Sequence, residues 1–419
     1  MGIFFYNAFL ILYRAGIAIA SAWSPKARKW LAGRKNIFEK IQDAIDAGDK
    51  DSKFIWVHCS SLGEFEQGRP IIERIKMQGT RHKIVVTFFS PSGYEVKKNY
   101  PSVDYVSYIP MDSKKNAAKF LDLINPHLVI FIKYDYWYYY LDEVKTRNIN
   151  CLLISAVFRP DQAFFKWYGG LQRKMLRCFS EIFVQNEQSK TLLETISLKN
   201  CIVSGDTRFD TVAEIADNFR DIPLVEEFTS KRKCIVAGST WKDDEEYLQK
   251  LLAQLPGDNI KLIIAPHEIH KRHIDELQTL FPASVKLSEF TATADQARIL
   301  IIDNIGMLSR LYKYAYITYV GGGFTEDGVH NVLEAAVYAK PVVFGKNYQK
   351  YEEAIQLVES EGAKSFSNQD ELFQIIFTLL NDEDDYRQTC RASEKYVREN
   401  KGATQKIMRY MEEKRLLTN

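Results

Sequence analysis

Short, continuous apolar runs alternate with amphipathic stretches of helical period along most of the chain. In the first half the runs lie at residues 54–58, 83–89, 128–132, 151–155 and 181–185, and in the second at 234–238, 261–265, 299–303, 315–320 and 341–345. Runs that are apolar at every position, rather than at alternate ones, predict strands covered on both faces. Strands spaced by helical stretches predict βα units on a parallel sheet, so the pattern predicts an α/β protein with two such sheets. The polar stretch 204–212, followed by the run to Pro223, reads as a crossing between domains, with the boundary near Arg208. The acidic cluster 382–385 opens a last helical region, 386 to about 417, expected either to cap the second domain or to cross back to the first.

The N-terminus breaks this rhythm. Residues 1–23 are mostly apolar with Arg14 as the one charge, and Lys26, Arg28, Lys29, Arg34, Lys35 and Lys40 follow against a single Glu39. An apolar helix with a basic flank suits the cytoplasmic face of a membrane with anionic lipid. The segment lacks the basic lead and small-residue cleavage site of a signal peptide. A charge near its middle disfavours simple insertion, so the helix is expected to associate with the bilayer, spanning it or lying on it.

At 419 residues the chain is long enough for two domains with separate cores. A net charge of +2 provides no field to select nucleic acid, and none is expected as a partner. Six cysteines, Cys59, Cys151, Cys178, Cys201, Cys234 and Cys390, form no CxxC pair, which predicts reduced thiols.

Candidate chemistry gathers at strand ends. Val320 to Phe324 reads VGGGF after a strand, with His330, Asn331 and Glu334 opening the next expected helix. Glycines there let backbone approach a phosphate, a helix N-terminus would offer N–H groups to it, and Glu334 could accept from ribose hydroxyls. A tight turn alone would also explain the glycines. Ser239 and Thr240 stand at a second strand end and His267 at a third, so one crevice at the carboxyl edge of a sheet could hold a nucleotide. In the first half the strand at 54–58 stops at Ser60, Ser61 and Gly63, with Glu64 at the start of a helix. Ser61-x-x-Glu64 matches a capping box that needs no catalysis. A carboxylate at the carboxyl edge of a strand equally suits a ligand site, and both readings stand on the residues alone. The aromatic run 133–141 suits a membrane-interface or sugar-facing surface, or packing against a neighbouring helix. His267, His270 and His273 have the wrong order for a zinc helix, and Asp382 and Asp384 lie in a solvated run, so no metal is expected.

At these residues the sequence resembles the 3-deoxy-D-manno-octulosonic acid (Kdo) transferases, a GT-B glycosyltransferase family of lipopolysaccharide synthesis. SSLGEFEQG (61 in its Ser-Ser pair) is similar to the family's S-x-G-E segment, TFFSPSGYE to T-x-T-x-T-G, FVQNEQSK to A-Q-S-E, SGDTRFD to G-N-x-K-F-D, and AGSTWKDDEE to A-S-T-H-x-G-E-E. GGGFTEDGVHNVLEAA and PVVFG are similar to G-G-S followed by G-G-H-N-x-L-E-P-A and P-V-x-F-G, all in the same order along the chain. The resemblance implies two Rossmann-like domains with parallel sheets facing across a cleft, plus the N-terminal membrane-associated helix. It implies an anchor and basic flank at 1–35, an acceptor-binding domain at 36–207, a CMP-sugar donor-binding domain at 208–385 and a helical region at 386–419. The activity implied is inverting, metal-independent and cofactor-free transfer of Kdo from CMP-Kdo to a lipid A precursor of the lipid IVA type, at the cytoplasmic face of the bacterial inner membrane.

The same resemblance puts Glu64 at the position of the general base. It puts Gly322, Gly323, Asn331 and Glu334 at the nucleotide, Ser239 and Thr240 near the phosphate with His267, and Ser61, Gly63, Lys133, Asp135 and Arg159 on the acceptor side. Three segments depart from the family pattern. E-T-E-L-W reads Lys133-Tyr134-Asp135-Tyr136-Trp137, P-R-H reads Pro266-His267-Glu268, and N-A-R reads Ser155-Ala156-Val157 with Arg159 close by. The alternatives are a GT-B transferase or epimerase acting on a UDP-sugar, and a non-catalytic membrane-bound sugar-nucleotide-binding scaffold.

Overall fold

The computed structural model describes residues 2–46, 53–79, 81–230, 232–255, 260–291 and 297–418. The chain divides into two compact units, Met1–Thr211 with Gly402–Asn419, and Val212–Lys401. In the first, strands β1 (Phe54–Cys59), β2 (Lys83–Phe88), β3 (Tyr105–Tyr108), β4 (Pro126–Ile132), β5 (Asn150–Ala156), β6 (Glu181–Val184) and β7 (Cys201–Val203) form one sheet in the order β3-β2-β1-β4-β5-β6-β7. In the second, β8 (Lys233–Thr240), β9 (Ile260–Pro266), β10 (Ser284–Lys286), β11 (Ile299–Ile301), β12 (Ile317–Val320), β13 (Val342–Gly345) and β14 (Ala363–Phe366) take the order β10-β11-β9-β8-β12-β13-β14. Every pairing is parallel, for example Trp56 opposite Val85 on one side and Val129 on the other.

The apolar runs predicted ten of these strands. The other four, β3, β7, β10 and β14, are the outermost strands of the two sheets. An outermost strand is paired on one side only, and these four are short and partly exposed, so they carry no continuous apolar run. In both sheets the strand order reverses beside the first strand, between β1 and β4 and between β8 and β12. The connections from those strands leave in opposite directions, which opens a crevice at their carboxyl ends.

One face of the first sheet buries Trp56 against Phe120, Phe131 and Tyr140 at ring separations of 5.0, 5.4 and 5.5 Å. The other face buries Ile55, Val57, Ile130 and Ile154 with Ile407, Met408 and Met411 of the helix Ala403–Glu413. The last helical region therefore divides. The helix Glu383–Asn400 lies in the second unit, and Ala403–Glu413 in the first. They break at Gly402, whose φ of 104° favours a residue with no Cβ. Asp210 holds the returning chain, its two oxygens accepting from the N–H groups of Gly402 and Thr404, both at 2.6 Å. The acidic run 382–385 is not merely solvated, because Asp382 caps its helix by accepting from the N–H groups of Asp384 and Asp385.

The N-terminal helix Gly2–Ala20 is about 28 Å long at ~1.5 Å per residue, close to the ~30 Å of a bilayer's hydrocarbon core. Tyr6, Leu10, Tyr13, Ile17 and Ala20 make its sheltered stripe, at the spacing of one helical face. Along that stripe Tyr6 donates to Asp112 at 2.5 Å, the Tyr139 hydroxyl donates to Asn7 at 2.9 Å, and Tyr13 packs on Trp30 and Phe89. Phe4, Phe5, Phe9, Ile11, Leu12 and Ile19 lie exposed on the rest of the helix.

Asp210→Ala leaves two helix-start N–H groups without their acceptor. It should lower stability by about 1–2 kcal/mol in urea denaturation, and Asp210→Asn should recover part of the loss. An Asp210→Ala protein as stable as wild type would show that the cap does not hold the returning helix.

Candidate functional site

In the first unit the carboxyl ends of β1 and β4 flank the reversal of strand order, and the expected acceptor-side residues meet there. β1 runs out at Ser60, and Ser61 starts the helix Leu62–Met77. The Ser61 N–H donates to Glu64 Oε2 at 3.0 Å, so the capping contact is made. The same carboxyl group is in a perturbed environment. Burial, and then repulsion from the Asp135 carboxylate, push it up to about 8, against the Ser61 and Ser60 N–H groups and the Lys133 ammonium, which pull it down. Glu64 is thus a helix cap and also one of two interacting carboxyl groups at a strand edge.

Asp135 sits on the loop after β4, where Lys133 takes a left-handed φ of 63° to turn the chain off the sheet. It is buried and accepts from the Ser60 hydroxyl on Oδ1. His58, fully buried in β1, lies behind it. Nδ1 of His58 is 2.7 Å from the Thr87 hydroxyl, and the Trp137 indole N–H donates to Nε2 at 3.0 Å. Thr87 Oγ1 also accepts from Trp56 Nε1 at 2.8 Å. Asp135 Oδ2 stands 2.9 Å from Nε2, an ion pair when the imidazole is protonated. This oxygen is buried. The Lys133 Nζ lies 5.0 Å from the centre of the Tyr134 ring. Gly63 is exposed with open space where a Cβ would be. Arg159 is exposed on the loop after β5, and its backbone N–H donates to the Gln162 side chain.

In the second unit β8 ends at Ser239, left-handed at φ 54°, and Thr240, with β12 alongside running into Gly321, Gly322 and Gly323. The glycine run is enforced by packing. A Cβ on Gly321 would collide with the Ser239 backbone and one on Gly323 with the Gly345 backbone. The N–H of Gly322 is already donated to Asp244 at 2.9 Å. The Gly322 N–H is thus engaged within the unit, in a run expected to let backbone approach a phosphate. Asp244 is fully buried and also accepts from the Trp241 N–H and the Tyr319 hydroxyl, yet burial still holds its carboxyl up at about 6. The Thr240 hydroxyl is committed too, donating to Glu245 at 3.0 Å.

The helix expected from His330 is a single turn, Leu333–Ala336. Asn331 spends its side chain locally, accepting from the Leu333 N–H at 3.2 Å and donating to Glu334 at 3.0 Å. His267 is exposed and stacks on His330, ring centres 4.5 Å apart, and on Trp241 at 4.6 Å. Trp241 Nε1 donates to His330 Nε2 at 2.9 Å, and burial, then His267, hold His330 down at about 4. The three histidines after β9 do not converge. His267 stacks, His270 faces Glu268 at 3.1 Å and His273 faces Glu245 at 3.0 Å.

Comparison with known proteins gives this arrangement its context. Residues 34–211 match the family model described as 3-deoxy-D-manno-octulosonic-acid transferase. A 3-deoxy-D-manno-octulosonic acid transferase of Haemophilus influenzae is 24% identical over 97% of this chain and 97% of its own length. One from Aquifex aeolicus is 27% identical over 78% and 86%. These likenesses, one over the first domain and others over most of the chain, support a Kdo transferase. It also covers 53% of a bifunctional glycosyltransferase/methyltransferase of Fusobacterium nucleatum, at 27% identity over 80% of this chain. The UDP-GlcNAc 2-epimerase of Neisseria meningitidis, solved with UDP-GlcNAc, superposes with a TM-score of 0.60 at 16% identity over 86% of this chain, which is a likeness of GT-B fold.

Sequence reasoning gave no role to His58, Thr87 and Trp137 behind Asp135 or to Trp241 and Asp244 near His267, and placed His330 only at a helix start. A histidine inside an otherwise apolar strand was the available signal for the first group, since buried polar groups require partners. In the second group Trp241 and Asp244 meet locally, three residues apart, while the stack of Trp241, His267 and His330 joins residues far apart in sequence.

The raised Glu64 carboxyl makes stability depend on pH with a definite sign. The folded chain holds this proton more tightly than the unfolded one, so wild type loses stability as pH rises from about 4.3 to about 8. Glu64→Gln has no proton to lose, and its stability relative to wild type should climb across that window and level off above it. Urea titrations at fixed ionic strength measure the difference; a gap that does not change with pH would refute the perturbed carboxyl.

Proposed function

We propose that this chain moves Kdo from CMP-Kdo to a lipid A precursor of the lipid IVA type in lipopolysaccharide synthesis, with inversion and without metal or cofactor. The observation that carries the reading is the Glu64 carboxyl beside Asp135 at the carboxyl edge of β1, with its proton affinity raised toward neutrality. A base works best when its pKa lies near the working pH. In ionised form Glu64 accepts the proton of the acceptor hydroxyl as that oxygen attacks the anomeric carbon of Kdo. The bond from that carbon to the CMP phosphate breaks, and CMP leaves with its electron pair.

On the acceptor side, Asp135 Oδ2 accepts a second hydroxyl of the acceptor, Lys133 meets acceptor charge, and Ser61, Gly63 and Arg159 border the sugar. On the donor side, Ser239 and His267 contact the phosphate, where His267 replaces the family arginine. Glu334, braced by Asn331, accepts from ribose, while Thr240, Gly322 and Gly323 shape the wall. A leaving phosphate needs donors rather than carboxylates around it, which suits Ser239 and an exposed imidazole.

The exposed face of the helix Gly2–Ala20 meets lipid at the cytoplasmic side of the inner membrane, the helix lying against its unit along the Tyr6 to Ala20 stripe. A cavity of about 790 Å³ lined by Arg14, Arg28, Lys35 and Lys119, with Glu39 as its acid, faces anionic headgroups there. This placement also gives Arg14 a polar surrounding instead of a lipid one.

Glu64→Gln should bind CMP as wild type does and lose transfer by about 100-fold or more, the scale of a lost general base. Wild-type kcat/KM should rise with pH through an apparent pKa of about 8. Near-normal turnover in Glu64→Gln, or transfer from UDP-sugars in place of CMP-Kdo, would overturn the reading. Glutamine at Phe4, Phe5, Ile11 and Leu12 together should move the protein from sedimenting membranes to the soluble fraction; unchanged sedimentation would remove the membrane role of the helix.

A further inference from the structure

A second cavity, of about 880 Å³, opens in the first unit against the N-terminal helix. Phe5, Tyr6 and Phe9 of the helix line it with Phe164 and Leu171, and Trp137 and the buried Asp135 complete the lining. Its size falls in the ~300–1,000 Å³ range of small-molecule sites, and its lining is mainly aromatic and aliphatic. The two ends differ in character. Trp167 and Tyr168, which also line it, are 92% and 59% exposed, on the side where Phe5 and Phe9 are exposed as well. An indole and a phenol in that setting match the side chains that settle at a membrane–water boundary. The other end carries Asp135, whose Oδ2 is buried 2.9 Å from His58 Nε2 and whose charge acts on Glu64.

An occupant must therefore be apolar along most of its length, enter from the side of the apolar helix, and bring a hydroxyl to the Asp135 end. A free sugar would leave the aromatic wall wet, and a bulk lipid tail would bring no polar group to the Asp135 end. We infer that this cavity holds an acyl chain of the lipid acceptor, so that the enzyme measures the chain of its substrate while Asp135 and Glu64 engage the headgroup hydroxyls. The inference rests on the acceptor being a lipid, as proposed above, and adds which part of the fold reads the lipid portion. Trp167 and Tyr168 act as the mouth, Phe9 and Leu171 as the walls, and Trp137 links the apolar floor to the polar end through its N–H to His58.

Two arms test this on the full-length protein in detergent. In the first, transfer from CMP-Kdo is measured with acceptors of graded acyl length and with a deacylated one. Wild-type KM should rise as the chain shortens, by up to about fourfold per methylene withdrawn, the equivalent of ~0.8 kcal/mol per buried CH₂. Trp167→Gln, at a side chain too exposed to support the fold, and Leu171→Gln should each cut the preference for acylated over deacylated acceptor by about tenfold through KM, with kcat nearly constant. The second arm does not depend on transfer. An N-acyl glucosamine phosphate brominated along its chain should quench Trp137 fluorescence in wild type, and not in Leu171→Gln. Quenching without any Kdo transfer would sink the Kdo reading and leave the cavity assignment intact. Absent quenching in wild type, or variants that keep the full acyl preference while membrane binding falls, would overturn the assignment.

Discussion

Placing a second carboxyl group near a buried one raises the energy of ionising either, and the first unit is organised around that constraint. Glu64 follows β1 and Asp135 follows β4, strands adjacent in the sheet but far apart in the chain. Their carboxyl ends meet only because the strand order reverses between them. Around the pair the structure supplies partial compensation: the Ser61 N–H for Glu64, the Ser60 hydroxyl for Asp135, and the Lys133 ammonium, whose charge pulls the Glu64 proton affinity down. The compensation is incomplete, and a carboxyl left short of donors in a half-buried site is one that can take a proton from a ligand. The capping role of Glu64 and its candidate role as base are compatible, since one oxygen accepts from the backbone.

The second unit solves a related problem differently. Asp244 is fully buried, but it receives three hydrogen bonds, from Gly322, Trp241 and Tyr319, and so fixes the loop after β12 against the end of β8. Gly322, expected at the nucleotide, gives its N–H to Asp244 in that close approach. What faces outward is the stack of Trp241, His267 and His330, where neutral His330 lies beneath an exposed His267. A flat, partly polar platform at the switch point of a parallel sheet is suited to a nucleotide, by a different route from glycine amides at a long helix N-terminus.

The interior strands were legible because burial on both faces leaves an unbroken apolar run, as in 128–132 and 261–265. The outermost strands were not, since one unpaired edge and one half-exposed face remove that signature, as in Ser284–Lys286, where no position is fully buried. At the site, Glu64 was legible as a residue but with two meanings open, because a capping box and a base look identical in one dimension. Asp135 appeared in an aromatic run whose packing could equally have served a neighbouring helix. Its link to His58, Ser60 and Trp137 depends on neighbours brought together by strand order, which no local pattern encodes. The helix expected after Asn331 shrank to one turn because Asn331 turns its side chain back on Leu333 and Glu334.

The central claim is that Glu64 carries a proton at neutral pH because Asp135 and burial hold it there. A titration of the Glu64 side-chain carboxyl by ¹³C NMR, in protein labelled at glutamate and assigned against Glu64→Gln, measures this without any substrate. The account predicts a midpoint of about 8 that moves down when Asp135 is replaced by asparagine. A midpoint near that of an ordinary glutamate, ~4.3, unmoved by that replacement, would contradict it.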